Sequence, residues 1–463
     1  MILPRPISSM AAEPISTSDQ AVAFLMSLVR DDPRSYSERA RLARHPVRAL
    51  LTRVGEPQFD LPVVHIAGSK GKGSTALYLE AILKKTGLRT GTFTSPHLQR
   101  WTERYRVDGK ELTSTAFAAL FARLQPHVRD LAREDAASAP SFFDTLTAAA
   151  FLLFVEEHLD CAIIEAGIGG RLDATNVVQP MLSCITSVEL EHTDKLGASI
   201  AAIAGEKAGI IKKGVPVVIG SLPGEAQSVI RMRAAELDAT VSALGEDIAL
   251  STDRAPDGGI TIRVTEDSRE YHAELPAPAS PCNARNAALA IACAHRICLH
   301  DEKRLERAVT RAVPATRPPG RMEVVSKKPW VVIDGAHTPA SSRALAEMLK
   351  GLPAHNMHLV VSLSGAKDAA AVLAPLLAHA HRVVVTSADP TRSLNSERLA
   401  AALVADGYPA SRVRSIADPR KAVLETRAAL AANDLLCVAG SMYMAGVARD
   451  TLVDGAHPPG QTP

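Results

Sequence analysis

Residues 65–75 read HIAGSKGKGST, and a short apolar run, Val63-Val64, leads into them. The apolar residues that follow recur at helical spacing, so the stretch is typical of a buried strand, a glycine-rich loop and a helix. The backbone N–H groups of such a loop and the N-terminus of its helix bind phosphate, and Lys72 adds a positive charge. Gly73 separates Lys72 from Ser74, so the pattern departs from a strict Walker A sequence. We predict a nucleotide-phosphate site here.

The length and composition indicate a soluble globular protein of two or three domains. The chain has 463 residues, of which 46% are hydrophobic and 22% are charged, and this length exceeds the core of one ordinary domain. A net charge of only +2 and an aromatic content of 4% argue against binding to nucleic acid or to an acidic membrane. No apolar run approaches the length of a membrane span, and we expect a cytoplasmic protein.

The N-terminal segment and the cysteines agree with this expectation. Residues 1–18 are rich in Pro, Ser and Ala and lack an apolar h-region, so we interpret them as a flexible leader rather than a signal peptide. The six cysteines are scattered and mostly lie in apolar runs, which is typical of buried free thiols in a reducing cytosol.

Strand-like apolar runs alternate with helical stretches, such as Leu146–Glu157, through the first two thirds of the chain. The runs are Thr90–Thr94, Cys161–Ile164, Leu182–Val188 and Val215–Ile219. Short, mostly apolar strands are typical of a parallel sheet that is buried on both faces. The alternation predicts an α/β fold with a large P-loop-type doubly wound parallel-sheet domain, which we place at residues 19–317.

A smaller C-terminal α/β domain is predicted at residues 322–463. The connector Pro314–Arg321 is rich in Pro, Arg and Gly, which is typical of a domain boundary. Strand-like runs alternate with helices beyond it, and they are Trp330–Ile333, His358–Ser362, Arg382–Thr386 and Leu435–Val438. Before the connector, we expect Ile260–Val264 and Tyr271–Leu275 to pair as antiparallel strands outside the main sheet.

Polar side chains follow the ends of several predicted strands. They are Ser95, Glu165, Glu189, Glu191, His192 and Asp334. Ligands of open α/β sheets lie beyond the carboxyl ends of the strands, so we expect Glu165 and His192 to converge where the phosphate loop opens. A carboxylate, an imidazole and a hydroxyl beside a triphosphate predict a magnesium site, although magnesium prefers oxygen ligands.

Ten blocks along the chain resemble one family. They are Gly68–Thr75, Thr94–His97, Trp101–Arg104, Phe143-Asp144, Glu165–Asn176, His192–Asp194, Glu206–Ile210, Pro319–Arg321, Asp334–His337 and Gly440–Tyr443. In this order they resemble folylpolyglutamate synthase/dihydrofolate synthase, a family of the Mur ligase superfamily of ATP-dependent amide-forming ligases. The resemblance implies an enzyme that adds L-glutamate to dihydropteroate, to reduced folates, or to both, through an acyl phosphate.

The resemblance also implies a role for each matched position. ATP phosphates would be held by Gly68, Lys70, Gly71, Lys72, Gly73 and Ser74. Magnesium would be bound by Ser95, Glu165 and His192, and a carbamate formed on Lys207 would help to hold a second magnesium ion. The nucleotide would also contact Asn283, Asn286, Arg321, Asp334 and His337, whereas the pterin would contact Phe143 and Asp173. Catalysis would depend on Lys72, Lys207, His192 and Arg321.

The family further implies small-molecule substrates and a monomer. For Lys207, the resemblance and the local pattern disagree, because the helical pattern around it predicts an ordinary solvated lysine. The segment Gly170–Asn176 resembles the form in bifunctional bacterial members, which favours both activities.

Five places depart from the commonest forms of the family. Ser69-Lys70 stands in place of Thr-Asn, Asp144 in place of Glu, Glu191 in place of Asp, Cys282-Asn283 in place of a Gln-containing motif, and Thr338 in place of Asn. These changes leave the acceptor substrate more open than the reaction type. One alternative is therefore a related amide ligase of the same superfamily that acts on a different carboxylate. A second alternative, a non-catalytic nucleotide-binding module, predicts losses at the metal positions, which are instead all present.

Overall fold

The computed structural model describes residues 14–29, 46–135, 139–298, 301–364, 369–389 and 393–453. These residues form two α/β units joined by a short connector, and the predicted fold class is confirmed. The first 13 residues of the predicted leader lie outside the described residues, and the domain limits stay predictions. None of the helices in the described ranges is both long enough and apolar enough to cross a bilayer.

An eight-stranded sheet forms the centre of the first unit, with the strand order β4-β3-β2-β5-β1-β6-β7-β8. The strands are β1 (Val63–Ala67), β2 (Thr90–Phe93), β3 (Tyr105–Val107), β4 (Lys110–Glu111), β5 (Cys161–Glu165), β6 (Leu182–Ile185), β7 (Val217–Ile219) and β8 (Val241–Ala243). All neighbours pair in parallel except β2 with β3 and β3 with β4. Because β1 lies between β5 and β6, the loops that follow these three strands open at one edge of the sheet.

Helices cover both faces of this sheet. They are Ser18–Ser27, Pro46–Arg53, Lys72–Lys85, Ser114–Glu134, Phe142–Glu156, Thr193–Leu196, Ile200–Ala208, Gly224–Glu236, Pro281–Ile297 and Glu302–Ala315, with 3-10 turns at Pro57–Phe59, Trp101–Arg104 and Ala174–Val177. Successive side chains of a strand point to opposite faces, so Val64 packs in one core and Val63 in the other. This arrangement is the predicted doubly wound layer structure.

The predicted antiparallel pair outside the main sheet is present. Strand β10 (Ile260–Glu266) pairs with β11 (Arg269–Leu275), and Ile260 lies opposite Leu275. A third strand, β9 (Ala249–Arg254), joins the far side of β10. The sequence did not predict β9, because its side chains are mostly exposed and show no apolar alternation.

The C-terminal unit contains a six-stranded sheet with the order β12-β13-β17-β14-β15-β16. Its strands are β12 (Glu323–Lys327), β13 (Trp330–Ile333), β14 (Met357–Val361), β15 (Ala380–Val385), β16 (Val413–Ser415) and β17 (Leu435–Ala439). The described helices around it are Pro339–Lys350, Ala369–Leu377, Ser396–Ala405, Pro419–Ala428 and Met442–Leu452, with a 3-10 turn at Ala410–Arg412. Only β12 runs antiparallel to its neighbour among the paired strands of the described residues.

Several predicted boundaries differ from the structure by one to four residues, and two of these differences have a clear physical reason. Strand β6 ends at Ile185 and not at Val188, because the next residues leave the strand direction and use their hydroxyl groups to bond the phosphate loop. The connector begins after Ala315 and not at Pro314, since the helix that precedes it continues through this proline in its last turn.

Candidate functional site

A cavity of about 820 Å³ lies between the two units, at the carboxyl edge of the central sheet. All but three of the predicted site residues line it. They are Gly68, Lys70, Gly71, Lys72, Gly73, Ser74, Ser95, Glu165, His192, Asn283, Asn286, Arg321, Asp334 and His337. The structure therefore brings residues from seven separate parts of the sequence to one cleft. Lys207, Phe143 and Asp173 lie behind its wall.

The phosphate loop has the backbone geometry that its sequence predicts. Gly71 is the N-cap of the helix Lys72–Lys85 and has a φ of +86°, a conformation that other residues rarely adopt. A Cβ atom at this position would also lie 2.4 Å from Oδ1 of Asn286. The side chain of Lys72 turns back over the loop, and its Nζ donates to the carbonyl of Gly68 at 3.0 Å. The N-cap Gly71 has no side chain to bond the first N–H groups of the helix, which leaves these groups for a phosphate.

The residues that follow β6 hold the loop in place. Ser69 N–H donates to the carbonyl of Ser187 at 2.9 Å, and Lys70 N–H donates to Ser187 Oγ at 2.8 Å. In return, the Thr186 hydroxyl donates to the carbonyl of Lys70 at 2.6 Å. These three hydrogen bonds fasten the phosphate loop to the end of β6.

Glu165 is a buried carboxylate at the end of β5 that faces the loop. Its Oε2 accepts a hydrogen bond from Ser95 N–H at 3.0 Å, and its Oε1 lies 4.0 Å from Lys72 Nζ. Burial raises the pKa of Glu165, while Lys72 and the Ser95 N–H group oppose this rise. A carboxylate in this position favours a cation beside it. Ser95 and Glu165 therefore meet at this edge of the sheet, and Glu165 and His192, for which we predicted convergence at the phosphate loop, both line the cavity.

Lys207 is not the surface residue that its helical pattern predicts. Only 1% of its side chain is exposed, and its Nζ donates to Oε1 of Glu191 at 3.4 Å. Burial, assisted by the nearby charge of Lys72, lowers the pKa of Lys207 from 10.5 to about 8, although Glu191 opposes this shift.

Glu191 is shared between two lysines. Its second oxygen, Oε2, lies 3.4 Å from Nζ of Lys70 on the phosphate loop. These positive charges lower the pKa of Glu191 against the effect of its partial burial. Lys70 and Glu191 both depart from the commonest family forms, and the structure shows that these two departures face each other.

His192 stands at the rim of the cavity and has a left-handed backbone with a φ of +47°. Partial burial lowers its pKa, while the adjacent Glu191 opposes this effect and nearby lysines add to it. A neutral imidazole is the form that binds a metal ion.

The two predicted asparagines have different surroundings. Asn286 packs against Gly71 of the phosphate loop. Asn283 belongs to a capping box at the start of the helix Pro281–Ile297, where its Oδ1 accepts from Ser280 N–H at 3.1 Å. Its side-chain oxygen therefore has a local structural partner, a role that the sequence reading did not include.

The connector contributes Arg321, and the C-terminal unit contributes Asp334 and His337, to the opposite wall of the cavity. The Asp334 carboxylate accepts from Met322 N–H at 2.8 Å and from Ala336 N–H at 2.7 Å, so it fastens the connector to the end of β13. Burial raises the pKa of Asp334, and the positive charge of Arg321 opposes the rise. Arg321 also acts on the pKa of Glu165 across the cleft.

Phe143 and Asp173 lie together on the far side of Gly167, which does line the cavity. Both carboxylate oxygens of Asp173 are occupied by its own loop, since they accept from Ile168 N–H and Thr175 N–H at 3.0 Å each. Burial raises the pKa of Asp173 against these bonds. The described geometry gives Asp173 a loop-holding role beside its predicted substrate role.

Arg104 lies in the block Trp101–Arg104, but the sequence predicted no role for it. Arg104 is buried; its Nε donates to Nδ1 of His97 at 2.9 Å, and its guanidinium lies over the rings of Trp101 and Phe142. Within this block, Trp101 near Arg104 was the available signal, whereas Phe142 comes from a distant part of the sequence.

Comparisons with known proteins agree with this architecture. The model of the Mur ligase middle domain matches residues 66–294, and that of the Mur ligase glutamate ligase domain matches residues 320–442. The dihydrofolate synthase/folylpolyglutamate synthase of Bacillus subtilis is 32% identical over 86% of this chain and 92% of its own. The chain belongs to this family of Mur ligases.

Solved and archaeal members extend the comparison. The folylpolyglutamate synthase of Mycobacterium tuberculosis in complex with ADP has a TM-score of 0.84 and 33% identity, and the match covers 94% of this chain and 98% of that one. A probable bifunctional folylpolyglutamate synthase/dihydropteroate synthase of Halobacterium salinarum is 34% identical over 93% of this chain. The match covers about half of the length of that relative (51%).

Proposed function

We propose that this folate-ligase family member is an ATP-dependent ligase that joins L-glutamate to dihydropteroate, to reduced folates, or to both. The observation that carries the proposal is the position of Glu165 and Lys72 at the phosphate loop, in a cleft that Arg321 also lines. The ADP complex of the mycobacterial relative supports ATP as the nucleotide.

A carboxylate is a poor acyl donor because its leaving group would be an oxide. Transfer of the γ-phosphoryl group of ATP to the acceptor carboxylate gives an acyl phosphate and ADP. The amino group of glutamate then attacks the carbonyl carbon, the amide bond forms, and inorganic phosphate leaves. Lys72 and Arg321 are placed to stabilise the negative charge that spreads over the phosphate oxygens during transfer.

The residues around the loop fit magnesium. Among the described residues no group of three or more His, Cys, Asp and Glu side chains forms a ready-made metal site. The ligand set that the family resemblance implies joins side chains of different types: the hydroxyl of Ser95, the carboxylate of Glu165 and the imidazole of His192 would hold one ion, and a carbamate on Lys207 would help to hold the second. When bound, magnesium supplies further charge neutralisation at the phosphates.

Lys207 has the surroundings that carbamate formation needs. The Nζ lone pair forms a bond with the carbon of CO2, and the released proton passes to solvent, so the reacting amine must be neutral. With a pKa of about 8, about a tenth of this amine is neutral at pH 7. An ordinary exposed lysine has far less in that form.

An acyl phosphate hydrolyses easily, and the site must exclude water while it exists. The cleft lies between two units that are joined by the connector Pro318-Pro319-Gly320, so closure of the C-terminal unit over the central one would achieve this. We include such closure in the proposal, with Phe143 and Asp173 on the acceptor side. The cytoplasmic location and the monomeric state stay predictions.

The decisive experiment measures phosphate release from ATP in the presence of L-glutamate with dihydropteroate, with tetrahydrofolate, or without an acceptor. Release with both acceptors supports both activities, and release with one identifies the activity that this chain has. The control is Lys72→Met, which should abolish release in all three mixtures. If folded wild-type protein binds ATP but releases no phosphate with either acceptor, the alternative of a different carboxylate substrate replaces this proposal.

A further inference from the structure

The segment 95–103 belongs to the central unit in sequence, but part of it packs inside the C-terminal unit. The side chain of Leu98 is buried in a core that also contains Val331, Ile333 and Ala445. Within the described ranges, Leu98 is the one member of this core that comes from the central unit.

Two glycines, Gly320 and Gly446, leave the space in which Leu98 packs. A Cβ atom at Gly446 would lie 2.1 Å from the Leu98 carbonyl oxygen, which is far inside contact distance. A Cβ atom at Gly320 would lie 3.1 Å from both methyl carbons of Leu98. The backbone of the segment therefore touches the helix Met442–Leu452 directly, and its side chain touches the connector.

A chain of polar contacts reinforces this packing. The Arg449 guanidinium donates to Oε1 of Gln99 from one nitrogen and to Oε1 of Glu323 from another, the latter at 2.9 Å. The second oxygen of Glu323 accepts from Gly320 N–H at 2.8 Å. Gln99 is thus linked through Arg449 and Glu323 to the connector between the units.

The segment itself is held as a rigid turn. The Glu103 carboxylate accepts three backbone N–H groups, from Leu98 at 2.7 Å, Gln99 at 3.0 Å and Arg100 at 2.8 Å. A displacement of Leu98 must therefore move its neighbours with it. Ser95 lies only three residues before Leu98.

We infer that Leu98 and Gln99 are positioning residues that set Ser95 against Glu165, so that the magnesium site is complete only while the C-terminal unit is seated on segment 95–103. The inference rests on the proposed function for the metal role of Ser95 and Glu165. It adds a mechanical link between the C-terminal unit and the metal site, which no matched motif assigns.

The test measures binding of Mn²⁺, a paramagnetic substitute for Mg²⁺, to the ADP-bound protein by the EPR signal of the free ion. The variant is Leu98→Ala, and its matched control is Leu436→Ala, which removes the same atoms from the same core in strand β17. The unfolding midpoint of each variant is measured beside the binding. We expect Leu98→Ala to weaken Mn²⁺ binding about tenfold and Leu436→Ala to stay within about twofold of wild type.

A second pair of variants keeps the test decisive if Leu98→Ala does not fold. Gly446→Ala pushes on the Leu98 carbonyl, whereas Gly224→Ala adds a methyl group to another helix where no atom lies within 4 Å. Alanine has a higher helix propensity than glycine, so both replacements should favour their helices. Only Gly446→Ala disturbs the packing of Leu98, and we therefore expect it to weaken Mn²⁺ binding while Gly224→Ala does not.

The inference is overturned if Gly446→Ala and any folded Leu98→Ala protein bind Mn²⁺ as wild type does, or if Leu436→Ala weakens binding equally. Absence of a Mn²⁺ site in the wild-type protein overturns it as well. The readout does not use turnover, so loss of the proposed activity and loss of this mechanical link are separate results.

Discussion

Replacing Lys207 by Met should stabilise the folded protein while it removes ligase activity. The side chain is 1% exposed, and its pKa falls from 10.5 to about 8. At about 1.4 kcal/mol for each pH unit, burial of the ionised amine costs about 3 kcal/mol at pH 7. Met removes this cost and fills similar space, and Glu191 keeps Lys70 as its partner. We therefore expect the free energy of unfolding to rise by about 2 kcal/mol.

The same reasoning predicts how the stability difference changes with pH. The unfolded chain keeps the Lys207 proton up to a pH near 10.5, whereas the folded protein releases it near 8. Between these values the unfolded state binds more protons, so the free energy of unfolding of the wild type rises with pH. The Lys207→Met protein lacks this contribution. The two proteins should differ most below pH 8 and converge towards pH 10.5.

The assay is urea denaturation of nucleotide-free and metal-free protein in bicarbonate-depleted buffer at pH 7 and pH 9.5, with phosphate release measured separately. Lys213→Met is the control, because Lys213 is exposed and lies outside the cavity. A Lys207→Met protein that is less stable than wild type at pH 7, or that has the same pH dependence, would refute the burial argument. Normal turnover by this variant would refute the carbamate role.

Three further outcomes test the rest of the site. Glu165→Gln should raise the Mg²⁺ concentration needed for half-maximal phosphate release at least about tenfold, because charge is lost at the metal; an unchanged Mg²⁺ titration would exclude Glu165 as a ligand. Gly71→Ala should abolish ADP binding measured by calorimetry, since its Cβ would meet Asn286 at 2.4 Å and its φ of +86° disfavours alanine; binding at wild-type affinity would contradict the loop geometry. Burial lowers the pKa of His65 from 6.5 to about 3. Between these pH values the unfolded state binds more protons, so the free energy of unfolding falls as the pH falls. The decrease reaches about 2 kcal/mol at pH 5. In urea denaturation, His65→Gln should remove this decrease in the free energy of unfolding between pH 7 and pH 5. An equally steep decrease in the variant would contradict the role of His65.

The sequence predicted the site most reliably where the site depends on strand ends. Ser95 and Glu165 each follow a short apolar run, and the carboxyl ends of parallel strands share one edge, so their meeting follows from local pattern and general topology. The strand order that puts β1 between β5 and β6 was not predictable, because crossover connections carry no local signal of the order in which strands pair.

The features of the site that the sequence pattern did not predict depend on contacts between distant parts of the chain. The side chain of Lys207 is buried where its helix meets the loop that carries Glu191, and its Nζ donates to that carboxylate at 3.4 Å. The helical pattern of one segment does not show which distant loop will pack against it. Leu98 is a similar case, since its partners come more than 200 positions later in the sequence. Only the family resemblance had singled out Lys207, and nothing had singled out Leu98.

The two lysines that share Glu191 also bear on how this site is inherited. Lys70 and Lys207 each lie 3.4 Å from one oxygen of the same carboxylate. In a relative that has Asn and Asp at positions 70 and 191, Lys at position 70 alone would add a positive charge near Lys207, whereas Glu at position 191 alone would change only the reach of the carboxylate. Anyone who transplants this loop into a relative should therefore move Glu191 with Lys70, so that the added lysine keeps the carboxylate that it contacts here.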